Sequence, residues 1–163
     1  MEIRLLGPVE VVVGDDVRSV PGSAERELLA LLALNAGRVV AVPALVDSLW
    51  GEDLPANPAN ALQVRVSKLR RALSAVGLPI SLIVTRAPGY QLDIDPRQVD
   101  ALLFGERVAE ARSAADGDAS AAAERYRKAL SCWRGVALSE FAESSWARPE
   151  TARSTELHLA ARE

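Results

Sequence analysis

The stretch NPANALQVRVSKLRRALSAV, residues 57–76, decides how the rest of the chain is read. Asn57 suits a helix N-cap, where its side-chain oxygen can accept a first-turn N–H, and Pro58 suits the first helical position, where a missing N–H costs nothing. Leu62, Val66, Leu69 and Leu73 recur at spacings of four, three and four. On a helical period of about 3.6 residues this stacks them on one narrow stripe, the core side. Asn60, Gln63, Ser67, Arg70, Arg71 and Ser74 fall on or beside the opposite face, with Lys68 on one flank and Arg65 on the other. Such side chains offer the paired and forked donors and acceptors that match base edges and phosphates. The spacing predicts a recognition helix.

The competing reading is an amphipathic helix whose charged side is merely solvated. Charge segregation argues against it. No Asp or Glu occurs between Asp53 and Asp93, while Arg65, Lys68, Arg70, Arg71 and Arg86 all lie inside that interval. A solvated helix gains about 0.2–0.5 kcal/mol from each opposite-charge pair at i,i+4, and this one forgoes them. DNA contact is therefore the favoured reading of this face.

The totals set bounds on this reading. At 163 residues with 49% hydrophobic side chains, the chain has material for one or two packed domains. A formal net charge of −3 gives no global basic field, so any nucleic-acid binding must come from a local patch. Cys132 is the sole cysteine, which excludes an intrachain disulfide, and no CxxC or His/Cys cluster suggests a metal. With no apolar run of membrane length and no signal-peptide pattern, a cytoplasmic location with no membrane partner is expected.

In chain order, Ile3–Leu6, Val9–Val13 and Val17–Val20 read as a small antiparallel sheet. Ser23 is placed to cap a helix running to about Ala36, whose crowded leucines predict burial on most sides, with Gly37 as its left-handed terminator. After an extended step at Val39-Val40, Pro43 opens a short helix, Ala44–Trp50, stopped by Gly51, with Trp50 read as a core residue. Helix, loop and basic helix then form a helix-turn-helix-like unit. Ile80–Arg86 and Tyr90–Ile94 read as two strands of a wing. Between them Pro88 and Gly89 take the central positions of a type II turn, with Arg86 near the tip. Beyond Val99 the composition turns to Ala-rich helix formers. Val99–Ala115 and Ala119–Trp133 read as a helical hairpin linked by Asp116-Gly117-Asp118, and Arg148-Pro149-Glu150 opens a third helix after an irregular segment. Ala122, Tyr126 and Ala129 keep a spacing found in tetratricopeptide repeats, without the matching pattern in the preceding helix.

The segments IRLLGPVEV, ELLALLALNAGRVV, LVDSLWG, NALQVRVSKLRRAL and TRAPGYQLDI together resemble the OmpR-type winged-helix domain of the Streptomyces antibiotic regulatory protein family. The later helices resemble the bacterial transcriptional activator domain that follows it there. The expected fold is an α+β winged helix-turn-helix over residues 1–95, followed over 96–163 by an all-α, tetratricopeptide-like region that is the start of a longer domain. The resemblance implies a transcriptional activator that occupies direct repeats of double-stranded DNA as head-to-tail copies, engages RNA polymerase holoenzyme and serves secondary-metabolite, often antibiotic, gene clusters. The residues assigned to DNA are Asn60, Gln63, Arg65, Ser67, Lys68, Arg70, Arg71 and Arg86.

An enzyme reading finds no site. The sequence holds no phosphate-cradling glycine loop, no G-x-S-x-G turn and no distinctive carboxylate pair, and no cofactor is implied. His158, the single histidine, reads as a surface residue, and Cys132 as a small core residue of an apolar helical stretch. The alternative from another class is a protein-protein interaction module that uses the winged helix and the helical region without touching DNA.

Overall fold

The computed structural model describes residues 1–115 and 117–163. Its first element is a three-stranded antiparallel sheet of β1 (Glu2–Arg4), β2 (Glu10–Val13) and β3 (Asp16–Arg18), with Ile3 opposite Val11 and Val12 opposite Val17. Helix α1 (Ser23–Leu34) follows, and Leu28 to Ala33 are buried without interruption, as the crowded leucines predict. Ser23 is not its cap. Gly22 occupies that position at φ 88, and no side chain accepts a first-turn N–H. The helix ends at Leu34, and Gly37, at φ 75, turns the chain so that its N–H donates to the Leu92 carbonyl at 2.9 Å.

Strand β4 (Val40–Ala41) leads into α2 (Val42–Trp50), which Gly51 closes at φ 56. Helix α3 (Pro58–Ala75) is the element anticipated around residue 66. The Asn57 side chain accepts from the Asn60 N–H at 3.2 Å, and Leu62, Val66, Leu69 and Leu73 are essentially fully buried against the core. Burying four such side chains contributes about 1.5–3 kcal/mol each, which holds the opposite face outward.

The wing departs from expectation in two places. Ile80–Leu82 is a single 3₁₀ turn, so β5 runs only from Ile83 to Arg86 before β6 (Gly89–Leu92) returns. Arg86 pairs directly with Gly89, leaving a two-residue loop, Ala87-Pro88, joined by a cis peptide. This replaces the expected type II turn. Gly89 serves β4 instead: a Cβ there would collide with the Val40 carbonyl, because β4 pairs with β6 through Ala41 and Gly89. The second sheet has the order β4-β6-β5, all antiparallel.

A helical region follows, formed by α4 (Asp100–Ala115), α5 (Ala119–Leu130) and α6 (Ala147–Arg162). Asp118 caps α5 by accepting the Ser120 and Ala121 N–H groups, while Asp116 of the expected link lies outside the described residues. Ala122 and Ala129 are buried between the helices. Two expectations fail here. Cys132 lies past the end of α5 and is only half-buried; His158 is not a free surface residue but rests on Trp133 at 4.3 Å between ring centroids.

The N-terminal segment is locked into this region. Leu6 is fully buried with Phe104, Val108, Ala129, Ala137 and Ala161 in a core of the helices, and Ile3 bridges Val99. The Leu5 and Leu6 carbonyls accept from the Leu138 and Arg134 N–H groups, both at 2.9 Å. The Leu5 and Leu6 N–H groups donate to the buried carboxylate of Asp100, at 2.6 and 3.1 Å. On α1, Glu27 accepts from the Trp146 indole N–H at 2.9 Å.

Candidate nucleic-acid interface

Helix α3 sets its outer face by the same periodicity that buries its stripe. Asn60, Gln63, Ser67, Lys68, Arg71 and Ser74 are all exposed, and Val64, 45% exposed, stands among them. Sequence reasoning passed over Val64 because an apolar side chain is counted to the core by habit. At about 100° per residue it lies 200° from Leu62, which would have placed it beside Arg71.

The arginines behave differently from one another. Arg65 was expected on the flank of the outer face, but it folds inward: its guanidinium lies 4.6 Å from the centre of the Trp50 ring, with Nη1 3.9 Å from Glu27 Oε2. It ties α3 to α2 and α1, in a cation–π contact that helps cover the half-buried indole. Arg70 reaches the wing. Its Nε and one Nη donate to the Ile83 carbonyl at 3.1 and 2.7 Å, and that Nη also donates to Thr85 Oγ1 at 3.0 Å. Arg86 stays exposed on the wing, with Nη1 donating to the buried Gln91 side chain at 3.1 Å, which in turn donates to Asp93 at 3.3 Å.

The structure thus brings Asn60, Gln63, Ser67, Lys68 and Arg71 together on one exposed surface, holds the β5–β6 hairpin beside it through Arg70, and withdraws Arg65. A helix of this width with a flanking hairpin matches the major groove, about 12 Å wide, and the adjacent backbone. Among the described residues no group of His, Cys, Asp or Glu could hold a metal ion, and no helix is long and apolar enough to cross a membrane.

Comparison with known proteins agrees with this geometry. The family described as transcriptional regulatory protein, C terminal, matches residues 20–92, and the bacterial transcriptional activator domain matches residues 99–163. The regulatory protein DnrI of Streptomyces peucetius is 37% identical over 98% of this chain and 61% of its own length. The transcriptional regulator RedD of Streptomyces coelicolor is 34% identical over 100% of the chain and 47% of its own length. The chain therefore spans about half to three fifths of these curated relatives. A solved structure of Mycobacterium tuberculosis EmbR, in complex with a low-affinity phosphopeptide, superposes with a TM-score of 0.86 at 28% identity, covering 99% of this chain and 43% of that one. With an OmpR-type winged helix followed by an activator-type helical region, matched family by family along its length, the chain belongs to the Streptomyces antibiotic regulatory protein family of transcriptional regulators.

Proposed function

We infer that the chain is the DNA-binding part of a transcriptional activator: residues 1–95 read double-stranded DNA, and residues 96–163 begin the domain that engages RNA polymerase holoenzyme. The observation that carries this reading is the exposed α3 face, where polar and cationic side chains stand together and no carboxylate occurs between Asp53 and Asp93. Asn60 and Gln63 offer amide donors and acceptors to base edges, Val64 can pack on a thymine methyl, and Ser67, Lys68 and Arg71 serve phosphates or guanine. Arg70 holds the wing at the angle from which Arg86 meets the backbone. Head-to-tail copies would occupy direct repeats in promoters, and the family resemblance, with relatives that are themselves regulators, supports secondary-metabolite, often antibiotic, gene clusters as the targets.

Salt titration of binding to a site selected from random DNA tests the reading. Lys68 and Arg71 alone give two neutralised phosphates, and Arg70 and Arg86 raise the count to four. At about −0.9 per phosphate, log K should fall against log salt with a slope of roughly −2 to −4. A slope near zero would reject DNA as the ligand of this face and favour the protein-interaction alternative.

A further inference from the structure

Four arginines line a cavity of about 370 Å³ at the seam between the first strand and the helical region. Arg4 comes from β1, Arg97 from the 3₁₀ turn before α4, Arg107 from α4 itself and Arg134 from the segment after α5, with Cys132 completing the wall. Glu2 and Asp100 also line the space: Glu2 pairs with Arg4 at 3.0 Å, Arg97 pairs with Glu106 of α4, and Asp100, with Arg134 Nη2 at 3.8 Å, is committed to the Leu5 and Leu6 N–H groups. Donor capacity is left over. Arg107 forms no ion pair among the described residues, and its Nη1 reaches only Cys132 Sγ at 3.3 Å and the Lys128 carbonyl at 3.4 Å. Arg134 donates to Glu10 at 2.6 Å and to the Pro8 carbonyl at 3.0 Å, yet its Nε is buried without a partner. A guanidinium has five N–H donors in a rigid fork, so both groups call for an acceptor-rich anion.

We propose that this cavity binds a small phosphorylated metabolite, with its phosphate between Arg107 and Arg134 and with Arg4 and Arg97 at the rim. Phosphate supplies several oxygens in a tetrahedral array, which suits guanidinium forks arriving from different elements better than a single carboxylate does. The volume lies within the usual range for small-molecule sites, about 300–1,000 Å³. A bare phosphate would leave most of it empty, so the ligand has an organic part. The cavity walls come from both β1 and the helical region, and bound ligand therefore clamps the N-terminal sheet to the helices. Such a site would let a metabolite set how firmly the DNA-reading and activator parts are joined.

Cys132 is the sole cysteine and lines the cavity, so its alkylation by iodoacetamide reports occupancy. The whole chain is titrated with inorganic pyrophosphate and with adenosine diphosphate at constant ionic strength, and the melting temperature is followed in parallel. At ten times its dissociation constant, either probe should slow alkylation about tenfold if only the free form reacts, and should raise the melting temperature. Arg107→Gln should abolish the protection while the unliganded chain keeps its melting curve. Should that variant fold poorly, Arg107→Lys, which keeps the charge but loses the guanidinium fork, should still weaken protection. Absence of protection by both probes, or equal protection in wild type and both variants, overturns the proposal.

Discussion

Replacing Asp100 should loosen the seam between the N-terminal sheet and the helical region in a way that depends on pH. The carboxylate is 3% exposed and accepts from the Leu5 and Leu6 N–H groups at 2.6 and 3.1 Å, with Arg134 Nη2 at 3.8 Å. Asp100→Ala strands two buried donors at about 1–3 kcal/mol each, a loss of about 4 kcal/mol in mid-range. For a chain of this size that lowers the melting temperature by about 8–16 °C. Burial pushes the Asp100 carboxyl from 3.8 up to about 6, against the pull of the two N–H groups and of Arg134. The folded chain therefore holds a proton between pH 4 and 6 that the unfolded chain has released. By linkage the contribution of this group to stability is greatest below pH 3.8, shrinks as pH rises to about 6 and is flat above. At 1.36 kcal/mol per unit the span is about 3 kcal/mol. Calorimetric melts of wild type and Asp100→Asn across pH 4.5 to 8 should show the wild type gaining on the variant as pH falls through 6. An Asp100→Ala chain that melts with the wild type at neutral pH, or a flat difference between wild type and Asp100→Asn, would show that the carboxylate does not hold the seam.

Leu69→Ala and Arg71→Ala separate the two faces of α3. The first should destabilise by about 2–5 kcal/mol, seen in denaturant melts; the second should leave the melt unchanged and weaken DNA binding by about 1–3 kcal/mol if Arg71 reads a base. Gly89→Ala should displace β4 from β6, detected as faster amide exchange at Tyr90, because the added Cβ meets the Val40 carbonyl. On tandem sites, inserting about five base pairs between direct repeats should abolish cooperative binding and about ten should partly restore it; gel shifts on the three spacings decide, and equal cooperativity on all of them would refute head-to-tail contact.

What could be read from the sequence was local. The Leu62, Val66, Leu69, Leu73 stripe follows from one helix's own period, and so does the set of exposed residues opposite it. Arg65 escaped because its stem is long enough to bend back, and the Trp50 ring that attracts it belongs to another element. Arg70 likewise found the Ile83 carbonyl across the turn, where no spacing rule looks. The expected type II turn rested on Pro-Gly composition, but the close approach of β4 claims Gly89 and moves the loop back by one residue. Asp100 carried no signal at all, since its partners lie at Leu5 and Leu6, and a helix-opening aspartate reads as an ordinary favourable charge at the dipole's positive end.

The lodging of Leu6 among Phe104, Val108, Ala129, Ala137 and Ala161 has a consequence for the order of events on the ribosome. The winged-helix core can collapse once its wing has emerged, taking in Ile3 and Leu5, but Leu6 has no complete resting place until α6 has been made. At about 5–20 residues per second, synthesis of residues 96–163 takes about 3–14 s. During that interval the nascent chain carries a formed α3 and a paired β1, with the Leu6 side chain still uncovered. Truncations that stop near residue 95 would leave that side chain bare permanently, and with it the Leu5 and Leu6 N–H groups whose hydrogen bonds Asp100 otherwise accepts.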